Sequence, residues 1–160
     1  MKIVITLDGE IPTLTATSVR AGSMNRKANI MVHAKKKRMQ EAWREKIAVS
    51  GRLPDIHQLQ RDCAAAGRLI RLKVTAYRRR QLDMKNLYRA CDELLLDPLQ
   101  RPREDPVIYN DRPSNIDWSP TQIIERDKNA CKVVMVWWMS ADQPCGATTK
   151  RRYREEGKNL

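Results

Sequence analysis

The sequence has little of what a zinc site, a membrane span or a disordered chain requires. Its four cysteines lack the Cys-x-x-Cys spacing of a zinc site, and only two histidines are present, so no zinc cluster is expected. No apolar run approaches the roughly 20 residues that cross a bilayer, and no tract is of low complexity. Residues 1–8 do not have the pattern of a signal peptide. We therefore expect a globular, cytoplasmic protein with reduced thiols and no membrane association.

Positive charge is what the chain has in excess. Lysine and arginine number 31 against 19 acidic residues, which gives a formal net charge of +12 in 160 residues. A chain of this length is most simply one domain with a sizeable core. Such an excess of cations favours a polyanionic partner, nucleic acid before an anionic membrane surface. We expect one domain over residues 1–143, followed by a basic, flexible tail over 144–160.

The spacing of apolar residues predicts strands that alternate with helices. Alternation and β-branched residues predict strands over 2–7, 70–76, 121–126 and 132–139, with a short strand or extended piece at 107–109. Helical spacing predicts a first helix over 27–50, a short helix near 56–65, and a further helix that begins at Asp83 and ends before Pro98. This order indicates an α+β domain in which two main helices pack against a small mixed sheet.

Two basic segments are candidates for contact with phosphate. One lies in the first predicted helix, and the other follows the predicted strand at 70–76. Cations at such places either bind the backbone of a nucleic acid or form an ordinary solvated surface, and both can hold for a helix whose opposite face is apolar. The residues are Lys35, Lys36, Lys37 and Arg38 in the helix, and Arg78, Arg79 and Arg80 after the strand.

Acidic residues stand close to the second basic segment. Asp83 opens a helical pattern, and Asp111 follows the apolar residues 107–109. Carboxylates within a basic chain suggest a divalent ion that acts on a polyanion, since hard cations prefer oxygen ligands. Each acid also has a structural alternative, because aspartate is common as a helix N-cap and in turns. The residues alone leave both alternatives open.

This part of the sequence resembles the RusA-like family of Holliday junction resolvases. The resemblance runs through Arg78–Cys91, Leu94–Leu99 and Val107–Asp111. These segments are similar to the family's basic strand end, its acid-x-acid-Asn-Leu helix start, its LLDxL ending and its acid pair after a short apolar run. The similarity touches about two thirds of the chain, and its specific part is about 35 residues.

The resemblance implies a RusA-like fold and a homodimeric, Mg²⁺-dependent endonuclease from a phage or prophage. Such an enzyme resolves four-way DNA junctions by paired nicks in recombination and repair. Asp83 and Asp111 would be catalytic metal ligands, with Asp97 as a weaker third ligand. Lys85 or Arg89 would neutralise charge at the scissile phosphate, and the two basic segments would hold the DNA backbone.

The chain departs from the family pattern at several positions. Lys85 stands at the second acid position, Asn110 replaces the first acid of the later pair, and Pro106 replaces a glycine. In another register, Gln81 and Asp83 occupy the two early acid positions. A lysine beside the site would repel a divalent ion or pair with Asp83. A junction- or single-strand-binding protein with weak or no catalysis is therefore an alternative, and a basic protein-interaction module is a third.

Two further acids are near enough in sequence to replace a missing ligand. Asp92 and Asp97 follow Asp83 within the same predicted helix and its LLDxL ending. Mg²⁺ takes only one or two carboxylates in many sites and keeps several waters. Metal affinity is expected to fall unless Lys85 points away from the ion or one of these two acids moves into the site.

Overall fold

The chain folds around one mixed sheet of four strands. A computed structural model describes residues 1–14 and 26–144, except the side chains of 26–29 and 142–144. The order across the sheet is β1-β4-β2-β3. β2 and β3 are parallel, and the other two neighbouring pairs are antiparallel. The strands are β1 (Lys2–Asp8), β2 (Arg68–Arg78), β3 (Ile116–Ile124) and β4 (Lys132–Pro144).

Three α-helices pack on this sheet, and the α+β class with a small mixed sheet is confirmed. They are α1 (Arg26–Val49), α2 (Leu53–Ala66) and α3 (Met84–Cys91). The segment predicted as a short helix is thus α2, with 14 residues. None of the described helices combines the length and the apolarity that a membrane crossing needs. Residues 15–25 and all but the first residue of the tail predicted over 144–160 lie outside the described residues.

Helix α3 does not end as an ordinary α-helix. It continues into a π-helical turn over Asp92–Leu96 and then a 3₁₀ turn over Asp97–Gln100. The apolar residues that predicted one continuous helix are all buried here, with Leu94–Leu96 fully inaccessible. The helical pattern therefore located the segment correctly but not its pitch, because burial of the leucines is satisfied by either geometry.

Several strands differ in extent from the prediction, and β2 and β4 are longer than expected. β3 begins at Ile116 rather than at residue 121, because its parallel pairing with β2 starts at Ile70. Pro120 lies within β3, which is tolerated since β3 is an edge strand. Residues 107–109 form bends rather than a strand. Pairing with β2, which is distant in sequence, decides where β3 begins.

The helices cover one face of the sheet. Alternate strand residues such as Ile5, Val74 and Trp137 are buried on that face, in one cluster with Trp43 and Leu87 from the helices. The intervening residues belong to the opposite face and are exposed or half-buried, except Leu69 and Ser140, which are buried.

Candidate metal centre

Three aspartates from two segments meet at the end of α3. Asp92 and Asp97 stand at the start of the π-helical turn and just after it, and Asp111 lies in the loop before β3. Each offers a carboxylate oxygen, and these oxygens all lie within 4.8 Å of one another. All three residues are partly buried. Oxygen ligands at this spacing fit a hard divalent cation such as Mg²⁺.

The π-helical turn brings Asp92 and Asp97 to the same side. In an α-helix five residues advance about 500°, so these two side chains would point roughly 140° apart. Here the backbone amide of Asp97 donates to the carbonyl of Asp92. This bond across five residues stacks Asp97 about one turn above Asp92. The two carboxylates are neighbours for this reason.

Helix α1 is bonded to the π-helical turn through Glu93. Gln40 Nε2 donates to the Glu93 carbonyl oxygen at 2.8 Å, which satisfies a backbone group within the widened turn. The Glu93 carboxylate pairs with Lys36 Nζ and with Arg89 Nε, each at 2.8 Å. Burial raises the pKa of Glu93, but these two hydrogen-bonded cations outweigh it and the net pKa is lowered. The Glu93 carboxylate is therefore ionised and its charge is balanced by two cations, which distinguishes it from its neighbour Asp92.

The three grouped aspartates repel one another. The pKa of Asp92 is raised to about 7, first by burial and then by the hydrogen bond and charge of Asp111 and the charge of Asp97. Burial and the charge of Asp111 also raise the pKa of Asp97. Asp92 Oδ1 is buried and has no hydrogen-bond partner among the described residues. A cation among the three carboxylates would relieve this repulsion and give that oxygen a partner.

Other groups act on the three aspartates by charge and position. Lys36 and Arg101 favour the ionised form of Asp97, although burial and the charge of Asp111 outweigh them. The pKa of Tyr88 is raised by burial and by the charges of Asp92 and Asp111. Its hydroxyl is protonated at neutral pH, as in an ordinary tyrosine, and the raised pKa strengthens that preference.

Asp83 is not one of the three grouped acids. Its carboxylate caps α3 by accepting the backbone amide of Asn86 at 2.9 Å, and it also accepts the side-chain amide of that residue. This is the N-cap alternative that the sequence left open. Asp97 and Asp111 from the predicted ligand set do come together, and Asp92 joins them in place of Asp83.

The two predicted charge-neutralising residues lie on α3. Lys85 is exposed in the first turn, seven residues before Asp92, and therefore about two turns away along the same side of the helix. Arg89 is half-exposed and bonded to Glu93. The predicted roles of Lys85 and Arg89 at a phosphate stay predictions.

The three arginines that follow the predicted strand differ in their surroundings. Arg78 is 4% exposed. Its guanidinium donates to the carbonyls of Ile11 at 3.2 Å and Arg80 at 3.0 Å, and lies 3.6 Å from the Glu10 carboxylate. This burial leaves Arg78 little surface for a phosphate and gives it a structural task. Arg79 and Arg80 are exposed.

The basic segment of α1 lies on the helix that holds the π-helical turn. Lys35, Lys37 and Arg38 are exposed, and the ion pair of Lys37 with Glu41 is long, at 4.0 Å. Lys36 is instead directed to the turn, where it pairs with Glu93. Three of the four cations are thus presented to solvent.

Comparison with known proteins gives no relative. No family model, no curated protein and no solved structure matches the chain. Function is therefore inferred from the geometry of the site and from the resemblance of its motifs.

Proposed function

We propose that this protein is a Mg²⁺-dependent endonuclease of branched DNA whose ion is held by Asp92, Asp97 and Asp111. The observation that carries the proposal is the approach of three carboxylates to within 4.8 Å in a chain of net charge +12. The resemblance to RusA-like resolvases supports four-way junctions as the substrate. A homodimer belongs to the proposal, because paired nicks require two sites related by a twofold axis.

The three aspartates supply the oxygen ligands and the negative charge that a hard cation requires. A bound divalent ion supplies activated water and neutralises charge on the phosphodiester. Asp92, with a pKa of about 7, is partly protonated near neutral pH and must lose that proton to serve as a ligand. Cation affinity is therefore expected to rise with pH through neutrality.

Exposed cations around the acids are suited to hold the phosphate backbone. Helix α1 is bonded to the π-helical turn through Gln40 and Lys36, so the helix that carries the first basic segment contacts the element that holds Asp92 and Asp97. Lys85 lies on the side of α3 that leads to Asp92, where it can neutralise phosphate charge. The other exposed cations proposed for the backbone are Lys35, Lys37 and Arg38 in α1, and Arg79 and Arg80 after β2.

A second function, binding of junctions or single-stranded DNA without cleavage, is favoured by one observation. Asp83 caps α3 and Lys85 occupies the next acid position of the family pattern, so the early acid pair is not assembled. A scaffold that had lost catalysis would keep its DNA contacts. Both functions predict binding to branched DNA, and they differ only in cleavage.

Nicking of a labelled four-way junction separates the two functions. We expect the parent chain to nick in Mg²⁺ and not in EDTA. Asp92→Asn, Asp97→Asn and Asp111→Asn should each slow nicking by about 100-fold or more. Junction binding should persist, because loss of a carboxylate near phosphate reduces repulsion. The control is Asp62→Asn, an exposed acid on α2, which should keep the parent rate. A folded parent that binds junctions but never nicks them would establish the second function.

Two further variants test the early acid pair of the family pattern. Asp83→Asn keeps a good N-cap and removes only the charge, so nicking should persist if Asp83 only caps α3. A loss as large as that of Asp97→Asn would return Asp83 to the ligand set. Lys85→Asp should raise nicking if a second early acid completes the site, and should slow it if Lys85 neutralises phosphate charge.

A further inference from the structure

Two amide side chains are buried beneath the loop that carries Asp111. Gln60 on α2 is 1% exposed, and Asn115, just before β3, is 9% exposed. They bond to each other twice. Gln60 Nε2 donates to Asn115 Oδ1 at 3.0 Å, and Asn115 Nδ2 donates to Gln60 Oε1 at 2.9 Å. A buried amide is costly unless its groups are bonded. The two bonds between Gln60 and Asn115 offset this cost.

The same pair also binds the backbone of the loop. The Tyr109 amide donates to Gln60 Oε1 at 3.0 Å. Asn115 Nδ2 donates in addition to the Asn110 carbonyl at 2.7 Å. Tyr109 and Asn110 are the two residues that immediately precede Asp111. The amide pair therefore fixes the backbone from which the Asp111 side chain extends.

The loop contacts determine the orientation of both amides. A backbone N–H can only donate, so the Gln60 atom that faces Tyr109 must be the oxygen. A carbonyl can only accept, so the Asn115 atom that faces Asn110 must be the nitrogen. The two remaining atoms are then a Gln60 donor and an Asn115 acceptor, which face each other. Every bond of the network is thus consistent with one arrangement.

Asp111 depends on this network more than the other two acids do. Asp92 and Asp97 stand at the ends of a hydrogen-bonded turn over buried leucines. Asp111 lies in a loop outside any helix or strand. On its far side, the backbone N–H of Asn115 donates to the Arg112 carbonyl at 2.8 Å. The backbone on both sides of Asp111 is therefore tied to Asn115.

We propose that Gln60 and Asn115 are positioning residues that set the distance of the Asp111 carboxylate from Asp92 and Asp97. By doing so they set the affinity of the site for a divalent cation. The inference rests on the proposed function, since it concerns the same three acids. It assigns a role to two residues that are not among the three acids and act only through the loop backbone.

Binding of Mn²⁺ to the full chain, followed by electron paramagnetic resonance and calorimetry, measures this role without relying on catalysis. Gln60→Met keeps the length of the side chain and removes its amide. We expect its Mn²⁺ affinity to fall by about 10- to 100-fold, the usual effect of removing a partner that orients a ligand. Asn115→Leu should have an effect of the same size. Leu59→Ala, at the adjacent buried position of α2, controls for lost stability and should bind within about twofold of the parent.

The double variant Gln60→Met/Asn115→Leu tests whether the two amides act as one network. It leaves two groups of the network unpaired, the Tyr109 N–H and the Asn110 carbonyl, the same number as either single change. Its melting temperature should therefore be close to those of the single variants, and its Mn²⁺ affinity should be as low as theirs. A Mn²⁺ affinity equal to that of the parent would overturn the positioning role. If a single variant does not fold, the double variant, in which neither side-chain amide is left without the other, supplies the measurement.

The remaining outcomes distinguish this inference from the proposed function. A parent chain that binds no Mn²⁺ overturns the metal centre itself, and the positioning role with it. A parent that binds Mn²⁺ while Gln60→Met and Asn115→Leu bind it equally well overturns only the positioning role. Equal weakening by Leu59→Ala would do the same, because the effect would then follow stability rather than the amides.

Discussion

Ionisation of the Asp92 carboxyl is unfavourable in the folded protein when no cation is bound. Burial, Asp111 and Asp97 raise its pKa from 3.8 to about 7, so the folded protein holds this proton more tightly than the unfolded chain. Stability is therefore lost as pH rises from about 4 to about 7, and the loss is complete above that window. We expect Asp92→Asn to raise the free energy of unfolding at pH 8 by about 2 kcal/mol. This value is the pKa shift of Asp92 converted to free energy and roughly halved, because solvent screens the charge of a half-exposed group. Urea unfolding in EDTA measures it.

The same measurement near pH 3 is the internal control for Asp92→Asn. There the parent carboxyl is protonated in the folded protein and largely so in the unfolded chain, whose pKa is 3.8, and the two proteins should have nearly equal stability. Added Mg²⁺ at pH 8 should stabilise the parent and not the variant, because a ligand that binds only the folded state adds to its stability. A variant with the same advantage at both pH values would contradict the like-charge description of the site.

The π-helical turn is the element on which the site depends, and α1 supports it. Gln40→Met removes the donor to the Glu93 carbonyl, which is part-buried. We expect the free energy of unfolding to fall by about 1–3 kcal/mol, the usual cost of an unsatisfied buried group. Mg²⁺ should also stabilise this variant less than the parent, because the turn sets the spacing of Asp92 and Asp97. Gln58→Met, at an exposed amide of α2, is the control. Unchanged stability of Gln40→Met would show that the turn forms without α1.

The molecule as a whole is a polycation, and DNA binding should show this in its salt dependence. Each phosphate neutralised contributes about 0.9 to the slope of log affinity against log salt. We expect Arg79→Ala/Arg80→Ala to reduce that slope by about one to two units, measured by fluorescence anisotropy with a labelled junction. Arg61→Ala/Arg68→Ala makes the same charge change elsewhere, with Arg68 at the opposite end of β2, roughly 33 Å away. A slope near zero, or equal slopes for parent and both variants, would contradict nucleic-acid binding at this surface.

Local sequence determined the class of fold and the position of most elements. Alternation over 70–76 predicted the strand that became β2, and helical spacing after Asp83 predicted a helix there. These predictions succeed because a strand or a helix with one buried face imposes its own period on the sequence. The motif resemblance also identified Asp97 and Asp111, two of the three grouped acids. The cap formed by Asp83 was recognisable as an alternative for the same local reason.

The tertiary structure decided which acids meet. Asp92 and Asp97 adjoin because the chain forms a π-helical turn, which apolar periodicity does not distinguish from an α-helix when the same leucines are buried. The loop that carries Asp111 is bonded to Gln60 and Asn115, a pair 55 residues apart in sequence. Arg78 became a buried structural residue because Ile11 and Glu10 supply its partners from across the sheet. The sequence could supply the ligand chemistry, but contacts between distant residues were needed to bring the ligands together.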